Sequence, residues 1–181
     1  ISGVCDLYKP RLEEAARAGA NKDRKGVAGF SEKPVKKYGD YKDLVHSSDV
    51  DAVVIATSDH WHGPVTVEAA KAGKHVYCEK PLGITLEECD TIIDAARKSE
   101  GVFYMGMNLR HGPVHEKLHQ IISAGTLGKI LTIEANEYYY NGRTYFRRWN
   151  RFRKFSGGLW ITKACHDIDL LNWYAGGRPK R

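Results

Sequence analysis

Long apolar runs are missing. No stretch of 18 or more apolar residues occurs in the 181-residue chain, so no transmembrane helix is expected. Internal repeats and low-complexity tracts are absent too. The 6 prolines and 18 glycines sit in an ordinary globular composition, which excludes collagen-like and mucin-like chains. Cysteine is scarce: Cys5, Cys78, Cys89 and Cys165 form no C-x-x-C pair, so the chain is no disulfide scaffold. Three of the four lie among Val, Ile, Tyr or Ala and read as buried free thiols, which favours a reducing compartment. No G-x-G-x-x-G turn is found anywhere, and no signal peptide is visible.

Acidic residues are missing from one place in particular. Residues 141–154, NGRTYFRRWNRFRK, hold six basic residues and no acid. The last four residues, RPKR, add three more. The remainder carries 19 basic against 22 acidic residues, so the net charge of +6 is local. This is a near-neutral globule with one cationic, aromatic-rich segment rather than a uniformly basic nucleic-acid binder.

What is present alternates. ISGVCD (1–6) reads as a short buried strand ending in Asp6, followed by a helix over 8–20 and a polar loop over 21–33. A weak strand near 34–38 and a helical turn over 40–45 precede DAVVIAT (51–57). That continuous apolar run is expected of a parallel strand covered on both faces. HVYCE (75–79) and VFYMG (102–106) are the next strands. The helices between them open at Pro64 and at the capping box Thr85-Leu86-Glu87-Glu88. Leu86, Cys89, Ile92, Ile93 and Ala96 recur at helical spacing, and Pro113 to Ala124 reads as a further helix. The pattern predicts an α/β fold with a doubly wound parallel sheet. After residue 126 the rhythm changes. KILTIEANEYYY (129–140) alternates like an antiparallel strand with one wet face. GLWITKACHDIDLLNWYAGG (158–177) reads as one helix with Trp160, Ala164, Ile168, Leu171 and Tyr174 on a stripe. Two domains are expected, 1–126 and 127–181, the second an α+β domain with an open, antiparallel-rich sheet.

Four places carry candidate chemistry. Asp6 ends a strand, where an acid either takes the adenosine ribose or caps the next helix. ATSDHWHGP (56–64) follows the strongest strand, and ligands of open α/β sheets bind at strand carboxyl ends. His60 and His62, with His75, Cys78 and Glu79 on the next strand, raise a metal reading. The grouping is too loose for it, so cofactor contact or capping is preferred and no metal is expected. CEKPLG (78–83) places Lys80 before a proline at a strand end, where it either polarises a hydroxyl or belongs to a surface turn. KACHDID (163–169) puts Lys163, His166 and Asp169 three residues apart on a helix. Asp169 is then placed to orient the imidazole of His166 as a general base, unless both are merely solvated.

These pieces together resemble the Gfo/Idh/MocA oxidoreductases. The matching residues are DAVVIATSDHWHGPVTVEAAKAGKHVYCEKPLGITLEEC, the change of domain, and GGLWITKACHDIDLLNWYAGG; the likeness runs from residue 1 to about 177. It implies a Rossmann domain and a second domain, with NAD or NADP as cofactor. It implies Lys80 at the nicotinamide end and the reacting hydroxyl, and Glu79 in the same site. Thr57, Ser58, Asp59, His60 and His62 would lie under the cofactor, and Asn108 beside the nicotinamide. Asp6 matches the ribose acid and favours NAD, while Lys9 and Arg11 nearby leave NADP open. His166 matches the catalytic histidine and Asp169 its companion. Inositol dehydrogenase-like members carry an Asp four residues before that histidine; here Thr162 stands there, with Lys163 next to it as a substitute polar group. Thr162, Lys163 and His166 are thus the expected substrate-binding residues.

The expected activity is hydride transfer between nicotinamide and a sugar, polyol or related carbinol. The alternatives are an NAD-retaining glycosidase or lyase working through a transient keto sugar, and a non-catalytic binding protein of the same fold. The partners implied are a small carbohydrate-like molecule and further copies of the chain as a dimer or tetramer, with no nucleic acid and no membrane. The cationic segment could stack on a sugar ring, bind an acidic substrate or form an interface loop. The first visible strand matches the second strand of a Rossmann unit, so the chain reads as an internal piece of a longer enzyme. That piece lacks the Gly-rich strand-turn and most of the second domain's sheet, and is expected to be inactive alone. The cytoplasm is the expected compartment, with an exported form left open by the absent N-terminus.

Overall fold

The computed structural model describes residues 1–20, 34–140 and 142–180. The loop expected over 21–33 lies outside the described residues. Strand and helix alternate in the first part of the chain: β1 (Gly3–Cys5), α1 (Lys9–Gly19), β2 (Lys36–Tyr38), α2 (Tyr41–Val45), β3 (Ala52–Ile55), α3 (His62–Lys71), β4 (His75–Glu79), α4 (Leu86–Lys98) and β5 (Phe103–Gly106). β1 and β2 pair in parallel, Gly3 opposite Lys36 and Cys5 opposite Tyr38. The other three strands form a second sheet in the order β3–β4–β5. A helix joins each strand of that sheet to the next, the connection parallel neighbours require. β1 and β3 are not hydrogen-bonded to each other.

The chain divides into two compact units. The first comprises Ile1–Ile55, Gly63–Tyr77 and Asp90–Tyr104; the second comprises Ala56–His62, Cys78–Cys89 and Met105–Arg181.

The core of the first unit is aliphatic. Val45, Ile55, Ala69 and Ile92 are almost wholly buried, with Val50, Val53, Val65 and Val76 close behind. β3 departs from expectation. Val53 and Ile55 face inward, but Ala52 and Val54 face out, and Val54 is 73% exposed. A strand sends alternate side chains to opposite faces, and the described residues cover only one of them. Two devices tie the unit's loops down. Lys74 Nζ donates to the Ser47 and Val50 carbonyls at 3.0 and 2.6 Å. Gly101 runs so close to Lys74 that a Cβ would lie 2.5 Å from its carbonyl oxygen. The capping box of α4 forms in altered style. Thr85 accepts from the Glu88 N–H at 3.1 Å, but Glu88 reaches back to the Ile84 N–H at 2.8 Å rather than to Thr85.

The second unit is built from turns and short helices. A 3-10 turn at Asp59–Trp61 and another at Asn108–His111 join α5 (Pro113–Ser123), α6 (Gly142–Arg147), α7 (Arg153–Ser156), α8 (Leu159–Thr162) and α9 (Cys165–Ala175). α5 and α9 pack through His119 stacked on Trp173 at 4.0 Å and through His115 Nδ1 against the Tyr174 hydroxyl at 2.6 Å. The strand expected over 129–140 does not form, and Leu131, Tyr138 and Tyr140 stand largely exposed. Alternation alone makes no strand; the backbone needs a hydrogen-bonding neighbour, and no described residue provides one. The single helix expected over 158–177 is broken in two. The Ala164 N–H reaches back five residues to the Leu159 carbonyl, and Lys163 leaves helical geometry with φ −121°. The break resets the phase of the helix. Trp160 and Ile168 of the expected stripe are therefore exposed, and Leu170 is buried instead.

Candidate functional site

The break between α8 and α9 is where the site begins. A helix that ends leaves carbonyls unpaired, and a lysine is a natural partner for them. Lys80 Nζ donates to the Thr162 carbonyl at 2.6 Å, across 82 residues of sequence. The same residue carries a second contact. Thr162 is 3% exposed, and its hydroxyl donates to the Asp59 carboxylate. Thr162 thus joins the turn after β3 to the Lys80 turn through one backbone and one side-chain group.

His62 fixes those two turns more directly. It is 1% exposed, its Nδ1 donates to the Pro81 carbonyl at 2.6 Å, and its Nε2 lies 3.2 Å from the Thr57 carbonyl. The Lys80–Pro81 peptide is cis. Both ring nitrogens of His62 face main-chain oxygens, so this imidazole is a staple between loops. His60 is also engaged. Its Nδ1 lies 3.3 Å from the Phe155 carbonyl, and its ring packs at 4.8 Å from Phe155 and 6.2 Å from Trp149.

Two buried polar atoms in this unit have no hydrogen-bond partner among the described residues: Asp59 Oδ2 and His166 Nδ1. Buried polar groups are nearly always satisfied, so each marks a place where something polar is expected to bind. Burial raises the Asp59 carboxyl above its ordinary range, against the Thr162 hydrogen bond and the charges of His62, Lys80 and His60. Burial lowers the His166 imidazole, helped by Lys80 and Lys163 and opposed by Asp167 and Asp169. The Cys165 thiol is pushed up by burial despite Lys80.

One expected partnership turns out otherwise. Asp169 does not bond to the His166 ring. Its two oxygens accept from Arg110 Nε at 2.7 Å and Nη2 at 2.5 Å, and the guanidinium lies 5.4 Å from the Trp173 ring. Lys163 is tied to Glu137 through both carboxylate oxygens, at 2.6 and 2.8 Å, and sits 4.6 Å from the Tyr139 ring. Burial works against its charge, but Glu137 more than compensates and holds its pKa up. Exposed Thr57 and half-buried Ser58 lead into the Asp59 turn, where the Thr57 hydroxyl donates to the Ser58 carbonyl at 3.3 Å. Glu79 is half-buried beside Lys80, and Asn108 is exposed at the start of its 3-10 turn. Asp6, in the first unit, accepts from the Tyr8 N–H at 2.7 Å, ahead of α1, which has no side-chain cap. Asp59, Lys80, Thr162 and His166 are thus held together in the second unit.

Arg110, Glu137 and Tyr145 were not singled out from sequence. Tyr145 is half-buried, its hydroxyl pKa pushed up by burial and Tyr139. It belongs to the cationic segment, whose Trp149 ring lies 6.2 Å from that of His60. Arg143, Arg147, Arg148, Arg151, Arg153 and Lys154 are all exposed, and no ion pair to any of them is found among the described residues.

Parallel strands joined by helices, with polar groups gathered at the carboxyl end of β4, put the chain in the class of open α/β proteins that bind ligands at strand ends. Residues 1–107 match the family model described as an oxidoreductase family with an NAD-binding Rossmann fold, and residues 115–181 match the GFO/IDH/MocA C-terminal domain. The chain belongs to the Gfo/Idh/MocA oxidoreductase family. It is 30% identical to a myo-inositol 2-dehydrogenase of Thermotoga maritima over 97% of this chain and 47% of that protein. It is equally 30% identical to an inositol 2-dehydrogenase of Salmonella typhimurium, over 96% and 46%. Among solved structures it is similar to a levoglucosan dehydrogenase in complex with NADH and levoglucosan. That likeness has TM-score 0.79 and 25% identity over 97% of this chain and 45% of that one. The chain spans between a third and a half of the curated relatives it matches. No helix among the described residues is long and apolar enough to cross a membrane.

Proposed function

We propose that the protein is a nicotinamide-dependent dehydrogenase acting on a sugar, polyol or related carbinol. The observation that carries this reading is the juxtaposition of Lys80, held on the Thr162 carbonyl, with two buried polar atoms left open, Asp59 Oδ2 and His166 Nδ1. A polar ligand rich in donors and acceptors satisfies all three, and a nicotinamide with a carbinol beside it is such a ligand. The residues would hold it as follows: Asp6 at the adenosine ribose, Thr57, Ser58 and Glu79 along its length, and Asn108 and Lys80 at the nicotinamide, with Asp59 left to the carbinol. When bound, the cofactor supplies a hydride acceptor.

The chain's own residues handle the proton. Lys80 retains donors beyond the one given to Thr162, and these orient the substrate hydroxyl. His166 is kept neutral by burial and by two lysines, so its Nδ1 is available to take the hydroxyl proton near neutral pH. His60 and His62 position the loop rather than touch the ligand. Asp169 with Arg110, and Lys163 with Glu137, hold the second unit's helices around the site. Thr162 is a positioning residue through its buried contacts. The domains are read as 1–126 for the cofactor and 127–181 for the substrate, with assembly as a dimer or tetramer. Four cysteines, none of them in a disulfide among the described residues, fit a reducing, cytoplasmic setting.

The test is spectroscopic. Titration of the protein with NADH and NADPH, followed by fluorescence, should show saturable binding. Incubation with NAD and a panel of myo-inositol, glucose and levoglucosan should accumulate NADH. Product without NADH would select the cofactor-retaining hydrolase or lyase instead, and no nicotinamide binding at all would overturn the reading.

A further inference from the structure

The least explained atom of the site is Asp59 Oδ2. Asp59 is only 6% exposed, so its carboxylate has left water, yet this oxygen has no partner among the described residues. An unpaired buried acceptor costs free energy, and a charged one costs more. Nothing in the turn requires an acid there. The backbone of residues 58–61 closes its 3-10 turn through the Trp61 N–H and Ser58 carbonyl at 2.8 Å, without the side chain. The groups around the carboxylate are those of the reacting centre: Lys80, the Thr162 hydroxyl and the rings of His60 and His62, with Cys165 and Tyr145 also within its electrostatic reach.

We propose that Asp59 is a specificity-determining residue: its open oxygen accepts a hydrogen bond from a second hydroxyl of the carbohydrate, beside the one that Lys80 orients. This rests on the dehydrogenase reading above. A carboxylate acceptor next to an ammonium donor selects a substrate with neighbouring hydroxyls, one on each group. It discriminates against a simple alcohol, because a missing hydroxyl leaves the buried oxygen unpaired.

The experiment compares the wild-type protein with Asp59→Asn and Asp59→Ala. It uses whichever of myo-inositol, glucose or levoglucosan is turned over, and deoxy analogues of that compound lacking one hydroxyl next to the reacting carbon. In the wild type, removing the right hydroxyl should lower kcat/KM about 10- to 100-fold, the scale of a charge-assisted hydrogen bond. In Asp59→Ala the same removal should cost less than about threefold, because the acceptor has gone. Both variants should bind NADH as the wild type does, and Asp59→Asn, which keeps an acceptor for the Thr162 hydroxyl, should keep its melting temperature, which separates this role from a cofactor contact and from a folding defect. The Asp59→Asn variant should also lose an acid limb in the KM profile that the wild type shows above the ordinary carboxylate range. A weakened NADH affinity with unchanged discrimination among analogues assigns Asp59 to the cofactor and overturns the proposal. Unchanged discrimination with unchanged NADH binding overturns it too, while leaving the dehydrogenase reading intact. If no panel member is turned over and no nicotinamide binds, the underlying reading fails and the proposal goes with it.

Discussion

At the residue scale the site runs on a few charged groups whose partners decide their roles. Lys80 has its ammonium set by a single carbonyl, so Lys80→Ala removes the group that orients the hydroxyl without opening the core. Turnover should fall about 10²- to 10⁴-fold, read by steady-state kinetics. His166 gives a pH signature. Its folded-state pKa is lowered, so the neutral form persists to more acid pH than for a free imidazole. The acid limb of kcat/KM should lie below the ordinary histidine range, and Lys163→Gln, which removes one positive neighbour, should move that limb upward. The sign also applies to stability. The folded state disfavours protonation of His166, so its contribution is present above the unfolded pKa and declines as pH falls below it. Asp169 separates structure from chemistry. Its pairing with Arg110 is partly buried, and Asp169→Ala should destabilise by about 1–2 kcal/mol, between the values for exposed and buried pairs, as measured by urea unfolding.

At the element scale the break between α8 and α9 does most to shape the site, and it was hidden in the sequence. Lys80 and His166 could be picked out because their motifs are local, a lysine before proline after a strand and a histidine among apolar residues. The break could not, since neither glycine nor proline stands at Lys163, and the periodicity of 158–177 runs through it. Arg110 and Glu137 were illegible for another reason: their partners lie 59 and 26 residues away, and a lone Arg or Glu has no spacing to read. The strand over 129–140 shows the reverse error, a clear alternating pattern without a neighbour to pair with. The approach to α8 is held by Gly157, whose φ of 68° favours glycine and whose Cβ position lies 3.0 Å from the Ile84 carbonyl. Gly157→Ala should therefore cost about 1–3 kcal/mol and raise the KM for carbohydrate before it weakens NADH binding. A thermal melt paired with kinetics checks both.

At the scale of the whole molecule the alternation of strand and helix was readable through residue 125, because apolar strands and capped helices carry strong local signals. What escaped was the one-sided burial of β3, which depends on what covers a face and not on the strand's own residues. The charge imbalance also acts globally. Six exposed cations within residues 143–154 repel one another without a described counter-ion, so salt should raise the melting temperature. A gain of about 2–4 °C between low and physiological ionic strength corresponds to about 1 kcal/mol in a protein of this size. Arg147→Gln with Arg151→Gln should flatten that dependence. The division of the strands into two sheets sets a different clock. Among the described residues β4 has a hydrogen-bonded neighbour on each side, whereas β1, β2, β3 and β5 have one each. Deuterium should therefore enter the outer strands first and the amide of Val76, bonded to the Val102 carbonyl at 2.8 Å, late. The middle of the three-stranded sheet is where the protein keeps its longest memory of being folded.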